Sequence, residues 1–438
     1  MAPELHLELP TTEGCAMNKS FQSSPTRRHL LRLAATGAAL AVASPALRAQ
    51  TQPHEAGKAA AVSADDTTFE DVWRTVRDRF YDPHFHGLDW AAVRERYRSV
   101  AAQATSKERQ AAVINSMLSE LQASHTHYYT QDEPEFYQLA GIFAGALRRQ
   151  GLQRIFPDSH ITYPGIGILS RMDVKGRGLV LDVIDGTLAQ QAGLLTGDEI
   201  VTIDGAPFQP VQLFRGKVGD LVTLEVHRGS SALQVQIKPV DIEPNKMFLD
   251  GMRASARIFE VNGRRIGYVH VWCYAGYIYQ RALEELLSDG PLKDADALIW
   301  DLRDGWGGAV PEYLDLFNTR APTMQVFGRD GAGEFENVKW RKPVAMLVNG
   351  GTRSGKEVLA YGFKKYQIGE VIGTRTEGAV LAATAFLIGE GLLLLAVEDV
   401  LVDGDRLEGV GVTPTIVVEN GPGSDRQLDR AVAVLSRA

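Results

Sequence analysis

A multidomain α/β chain is what this sequence predicts, on three observations. Apolar runs such as "RIGYVHVW", "DALIWDLR" and "PVAMLVNG" alternate with helical segments after about residue 265. A block of short β-rich runs divided by Gly and Asp turns precedes them, and three amphipathic helices precede that block. At 438 residues the chain is too long for one ordinary core.

Taken in order, residues 1–49 read as an export signal: "PTRRHLLRLAATGAALAVASPALRA" joins a basic start (Arg27, Arg28, Arg32) to an apolar small-residue stretch ending at Ala49. Arg27-Arg28 resembles a twin-arginine signal, with an ordinary secretory signal as the alternative. Met17 is an equally acceptable start, because the residues before it lack signal character. The apolar run falls short of the ~20 residues of a membrane span, so no stable anchor is expected after cleavage. A periplasmic or secreted protein follows. Its net charge of −8 becomes about −10 once the leader's five basic and three acidic residues are gone, which argues against nucleic acid as a partner. Cys15 leaves with the leader, so Cys273 can form no intramolecular disulfide and reads as a buried structural thiol.

Residues 50–66 are polar and read as a linker. Residues 67–150 form a helical domain: Phe69, Val72, Trp73, Val76 and Phe80 recur at helical spacing, as do Trp90, Val93 and Tyr97, and "RQAAVINSMLSELQ" adds a third helix. Residues 160–240 switch to a period of two and predict a compact β-domain with one short helix in "GTLAQQAGLLTGD". Residues 250–438 hold the strand–helix units and a β-rich tail, which together predict a largely buried sheet.

The chemistry concentrates at two glycine-rich turns. In "VNGGTRSGKEVLAYGF" an apolar strand meets Gly350-Gly351, presents Ser354, and starts a helix. A serine is a poor nucleophile without a base, and its attack creates an oxyanion that needs preorganised donors. The Gly355 N–H lies in a first helical turn, where amides lack partners and negative charge is favoured. On that stretch alone an N-cap is the commoner role for Ser354. "IWDLRDGWGGAVPEY" repeats the geometry and offers the Gly307 N–H as a second donor, though it also fits an ordinary turn. Two such turns after successive strands converge on one side of a sheet. For a base, "SHTH" supplies His125 and His127 beside Ser124. Zinc would need a third ligand at diagnostic spacing; none is found, so no metal and no cofactor is expected. The acid that orients the base is a weaker choice, with Glu408 in the tight segment "RLEGVGVTP" as the candidate.

Together these residues resemble the S41 peptidases, the carboxyl-terminal processing and tricorn-type serine peptidases, over roughly residues 66–438. "NGGTRSGKE" is similar to the family's nucleophile motif and "DLRDGWGG" to its oxyanion loop. The resemblance implies a catalytic domain of the crotonase/Clp-peptidase-like superhelix, with a helical N-terminal segment and a PDZ-like insert. One departure selects the branch. The lysine of the Ser–Lys processing peptidases would fall at position 379, which is alanine, and Lys356 would point away from the Ser354 hydroxyl. The tricorn-type arrangement then implies Ser354 as nucleophile and His125 as general base, with Ser124 and Glu408 orienting it; His127 is the less favoured base. Within the PDZ-like insert, "YPGIGI" resembles a carboxylate-binding loop, so the N–H groups of Gly165, Ile166 and Gly167 would capture a peptide C-terminus, unless the module acts only as a lid.

The expected function is a periplasmic endopeptidase acting on unfolded chains or C-terminal tails through an acyl-enzyme. A binding protein that kept the fold without the reaction is the alternative. Polypeptides are the expected partners, and the sequence is silent on oligomeric state. A histidine base places the rise of activity near or above its ordinary pKa of about 6.5.

Overall fold

The computed structural model describes residues 67–437, apart from 174–176, 328, 330–332, 336 and 422. The expected export signal, the linker, and part of the segment "GRDGAGEFENVKW" lie outside these residues. No described helix is long and apolar enough to cross a membrane.

Helices α1 (Thr68–Arg79), α2 (Trp90–Ala102) and α3 (Lys107–Ser119) open the described chain. Asp89 caps α2 by accepting the Ala92 N–H, and Ser106 caps α3 by accepting that of Arg109. Their apolar faces do not form a separate core. Val72, Val76, Ile114 and Met117 pack with Leu381, Leu393 and Leu395 from the far end of the chain. Strand β1 (His127–Tyr129) makes the link concrete by pairing with β15, defined below, and α4 (Pro134–Ile142) follows it.

The β-domain comprises β2 (Tyr163–Gly165), β3 (Ile168–Met172), β4 (Gly178–Val183), α5 (Leu188–Gln191), β5 (Glu199–Ile203), β6 (Val222–Arg228), β7 (Ser231–Ile237) and β8 (Val240–Ile242). Its sheet runs β3-β4-β5-β6-β7, with a short strand at Ala206–Pro207 added to β5. Every pairing is antiparallel, and inward residues such as Val180, Ile200, Leu224 and Val226 alternate with outward polar ones. Strand β3 is an edge, with its outer hydrogen-bonding side unpaired among the described residues.

Helix α6 (Pro244–Ser255) leads into the large domain: β9 (Arg257–Val261), β10 (Arg264–His270), α7 (Tyr277–Ser288), β11 (Ala297–Asp301), β12 (Val344–Val348), α8 (Gly355–Lys365), β13 (Glu370–Gly373), β14 (Ala382–Ile388), β15 (Gly391–Glu398), β16 (Ile416–Val417) and α9 (Arg426–Leu435). The six-stranded sheet has the order β9-β10-β11-β12-β13-β16, and all pairings after the first are parallel. Strands β11 and β12 are buried at every residue, as continuous apolar runs require when both faces are covered. One face, with Ile299, Ala345 and Leu347, packs on Ala431 and Leu435 of α9. The other, with Trp300, Met346 and Val348, joins the main core with Leu359 and Phe363 of α8. Strands β14 and β15 turn away to form a separate three-stranded sheet with β1. Cys273 is buried and free, as expected, just beyond β10, where it bridges Trp306.

Candidate active site

Both glycine-rich turns leave the carboxyl ends of adjacent parallel strands, β11 and β12, which are in register at Asp301 and Leu347. Side chains buckle them together. Asn349 donates from Nδ2 to Asp304 Oδ2 at 2.7 Å and accepts the Asp304 N–H on Oδ1 at 3.2 Å. The Thr352 hydroxyl donates to the Leu302 carbonyl at 3.1 Å. Gly307 is consequently pressed against the nucleophile turn. A Cβ there would lie 2.5 Å from Ser354 Cβ and 3.1 Å from the Gly355 nitrogen, so only glycine fits. Among the described residues neither the Gly307 nor the Gly355 N–H donates to another backbone or side-chain group, so two orphan amides stand beside Ser354.

Ser354 stands at the N-cap position of α8: the Glu357 carboxylate accepts the Ser354 N–H at 3.3 Å, and the Glu357 N–H donates to the Ser354 carbonyl at 2.8 Å. Its backbone, however, has φ 57° and ψ −133°, whereas an ordinary cap is extended. A side chain held at positive φ on a strand-to-helix turn is strained, and the surroundings enforce it. The Ser354 N–H donates to the Ala379 carbonyl at 2.8 Å. Glu357, fully buried, accepts from the Thr376 hydroxyl (2.5 Å) and the N–H groups of Gly378 and Ala379 (both 2.8 Å). These bonds lock the segment 376–379 onto the nucleophile turn.

The next residue of that segment carries the connection onward. The Val380 N–H donates to Glu408 Oε2 at 2.7 Å. Glu408 also accepts the Ser124 hydroxyl on Oε2 at 2.9 Å and the Ser124 N–H on Oε1 at 3.0 Å. Ser124 Oγ in turn lies 2.9 Å from His125 Nδ1. A hydroxyl has one proton, and here it points to Glu408. The Nδ1 contact therefore requires an N–H on the imidazole, which assigns the tautomer with Nε2 unprotonated. His125, too, sits at positive φ, 52°. No hydrogen bond joins His125 to Ser354 in this structure, so the serine side and the histidine side are each assembled while the contact between them is open.

Burial lowers the His125 pKa to about 4, with the Arg353 cation adding to the shift and Glu408 opposing it. The expected rise of activity assumed an ordinary imidazole; in this environment the ring is held neutral to lower pH. His127, at the start of β1, has Nε2 3.1 Å from the Asn115 amide nitrogen, and burial lowers it to about 4 as well. Lys356 is fully buried and, as expected, directed away from the serine hydroxyl. Its ammonium donates to the Asp304 carbonyl at 2.6 Å beneath the Gly307 turn, and burial lowers its pKa to about 8. A lysine two residues past a helix start reads in sequence as a surface charge, so its burial was not foreseen. Arg353, only partly buried, was missed because its neighbour Trp306 is distant in sequence.

The predicted peptide-binding loop is elsewhere. Gly165 pairs with Val240 in the β2–β8 ladder, and Ile166 is buried with its carbonyl accepting the Ala189 N–H. Gly167, at φ 89°, abuts Thr187. Ile166 and Gly167 line a groove of about 330 Å³ with Thr187, Leu188 and Val240.

Three family models match the chain: Peptidase family S41 over residues 265–418, the Tricorn protease C1 domain over 66–119 and the PDZ domain over 164–238. The chloroplastic carboxyl-terminal-processing peptidase 2 of Arabidopsis thaliana is 25% identical over 383 residues, 81% of this chain and 68% of its own. The tricorn protease homolog 2 of Streptomyces coelicolor is 25% identical over 378 residues, 80% of this chain but 30% of its own. Among solved structures, the photosystem II D1 C-terminal processing protease is 20% identical with a TM-score of 0.48, covering 86% of this chain and 98% of that one.

Proposed function

We propose that this chain, a serine-type peptidase that belongs to peptidase family S41 and carries a PDZ domain, is a periplasmic endopeptidase with a Ser-His-Glu mechanism. Its substrates are unfolded polypeptides or C-terminal tails. The observation that carries the reading is the unbroken series from Glu408 through Ser124 to His125, which leaves Nε2 free to take a proton. Ser354 attacks the peptide carbonyl while His125 Nε2 accepts its proton. The Gly355 and Gly307 N–H groups receive the oxyanion, each worth about 3–4 kcal/mol of barrier. The imidazolium, steadied through Ser124 by Glu408, then protonates the leaving amine, and water repeats the cycle on the acyl-enzyme.

The tricorn-type arrangement is favoured over a Ser–Lys dyad because position 379 is alanine and Lys356 is bonded away from the hydroxyl. In the PDZ-like module, the unpaired edge of β3 supports addition of a substrate strand, with the backbone amides around Gly165, Ile166 and Gly167 meeting the terminal carboxylate. Export by the N-terminal signal completes the reading. The test is cleavage of an unfolded reporter by wild type and by Ser354→Ala, with labelling by an active-site phosphonate. Loss of cleavage by at least ~10⁴-fold and of labelling is expected. A variant that cuts at the wild-type rate overturns the assignment.

A further inference from the structure

Beside the nucleophile turn lies a cavity of about 540 Å³ with charges that the acyl-enzyme chemistry does not use. Its wall includes Glu135 and Gln138 of α4, Arg171 of β3, Trp306, Arg353 and Glu377. Arg353 immediately precedes Ser354, and its guanidinium carbon lies 4.0 Å from the centroid of the Trp306 ring. Trp306 immediately precedes Gly307, and its indole N–H is fixed by a 2.7 Å bond to Gln138 Oε1. The guanidinium thus rests over an immobilised ring, a contact that uses none of its N–H donors. Among the described residues, no carboxylate oxygen lies within 4.0 Å of that edge and no hydrogen bond uses it. The cavity's other acids do not neutralise it. Asp304 is committed to Asn349, and Glu133 to the Thr130 N–H and hydroxyl. Glu135 and Glu377 feel the Arg353 cation, which opposes the upward push of burial on both, yet neither comes within ion-pair distance of it.

We propose that Arg353 is a substrate-binding residue that receives a carboxylate of the peptide within reach of the scissile bond, so that segments carrying a carboxylate there are preferred. Arg171, which also lines the cavity and likewise has no ion-pair partner among the described residues, adds to the attraction. The location of the substrate rests on the peptidase reading above, but the binding itself does not require turnover.

The experiment uses matched peptides in the wild-type chain. One arm exchanges Glu for Gln at each position flanking the cleaved bond; the other exchanges a free C-terminal carboxylate for an amide. Hydrolysis gives kcat/KM, and fluorescence anisotropy on Ser354→Ala gives affinity without turnover. The carboxylate form is favoured at least ~10-fold in one arm, as expected for a charge-assisted fork. That ratio falls toward one in Arg353→Gln and is partly kept in Arg353→Lys. The arm that responds identifies the source of the carboxylate. Equal kcat/KM and equal affinity for both members of every pair in the wild type overturn the proposal, whatever the variants do. Discrimination in affinity without hydrolysis by wild type would retain the subsite and remove the peptidase reading instead.

Discussion

The two halves of the proposed active site are built in opposite ways. The serine half, Gly307, Ser354 and Gly355, comes from two turns at the ends of neighbouring strands, so one sheet positions all three groups at once. The histidine half is assembled from segments 284 residues apart, with Glu408 bonded to Ser124, and it depends on α1–α3 sharing a core with β14 and β15. The serine half is therefore a local consequence of strand–turn–helix chemistry, while the histidine half exists only once the ends of the described chain have packed together. A peptidase built so can lose its base without losing its nucleophile turn.

The sharpest way to break this comparison is at the base. His125→Ala is expected to lower kcat by ~10⁴-fold or more, and adding it to Ser354→Ala should cost almost nothing further, because groups that act as a unit are not additive. Independent losses in the double variant, measured by steady-state kinetics, would mean that the two halves do not cooperate.

A smaller effect tests the serine half. Gly307→Ala drives a methyl group to within 2.5 Å of Ser354 Cβ and 2.7 Å of the Arg353 carbonyl, so one of the turns must move. A loss of ~10²–10³-fold in kcat is expected, as for removal of one oxyanion donor, together with a lower Tm from overpacking. Unchanged kcat would release the Gly307 N–H from its role.

The smallest effect is the pH response, which reads the environment of the histidine half. With His125 lowered to about 4, kcat/KM should stay level from pH 8 to about 5 and fall only below that. Removing the cation in Arg353→Gln takes away one cause of the lowering, so the acid limb should move to higher pH. Stability follows the same sign. The unfolded chain binds protons on His125 and His127 near pH 6.5, and the folded chain only near 4, so stability is lost as pH falls through that window. A wild-type limb at pH 6.5 in kcat/KM would show that His125 is less buried in solution than here.

The order of elements was legible because each stretch carries its own period: helical spacing in residues 68–119, alternation from 163, and buried runs such as "ALIWD" and "VAMLV" from 297. The turns at Ser354 and Gly307 were legible for the same local reason. The helical segment read in sequence as a domain with its own core, yet its apolar faces are completed by β14 and β15, since periodicity marks an apolar face without naming its partner. The burial of Lys356 and the seat of Arg353 over Trp306 were illegible because a cation beside a helix start looks solvated until its neighbours are known.

What the amino-acid order determined by itself is the set of local shapes: which runs become strands, where glycine lets a turn pass close to another backbone, and that a hydroxyl is offered at a helix start. What only the tertiary structure decided is company. Ser124 meets Glu408, Arg353 rests on Trp306 with no ion pair among the described residues, and burial lowers the pKa of His125, because desolvation and charge act through space and depend on neighbours that sequence separation conceals.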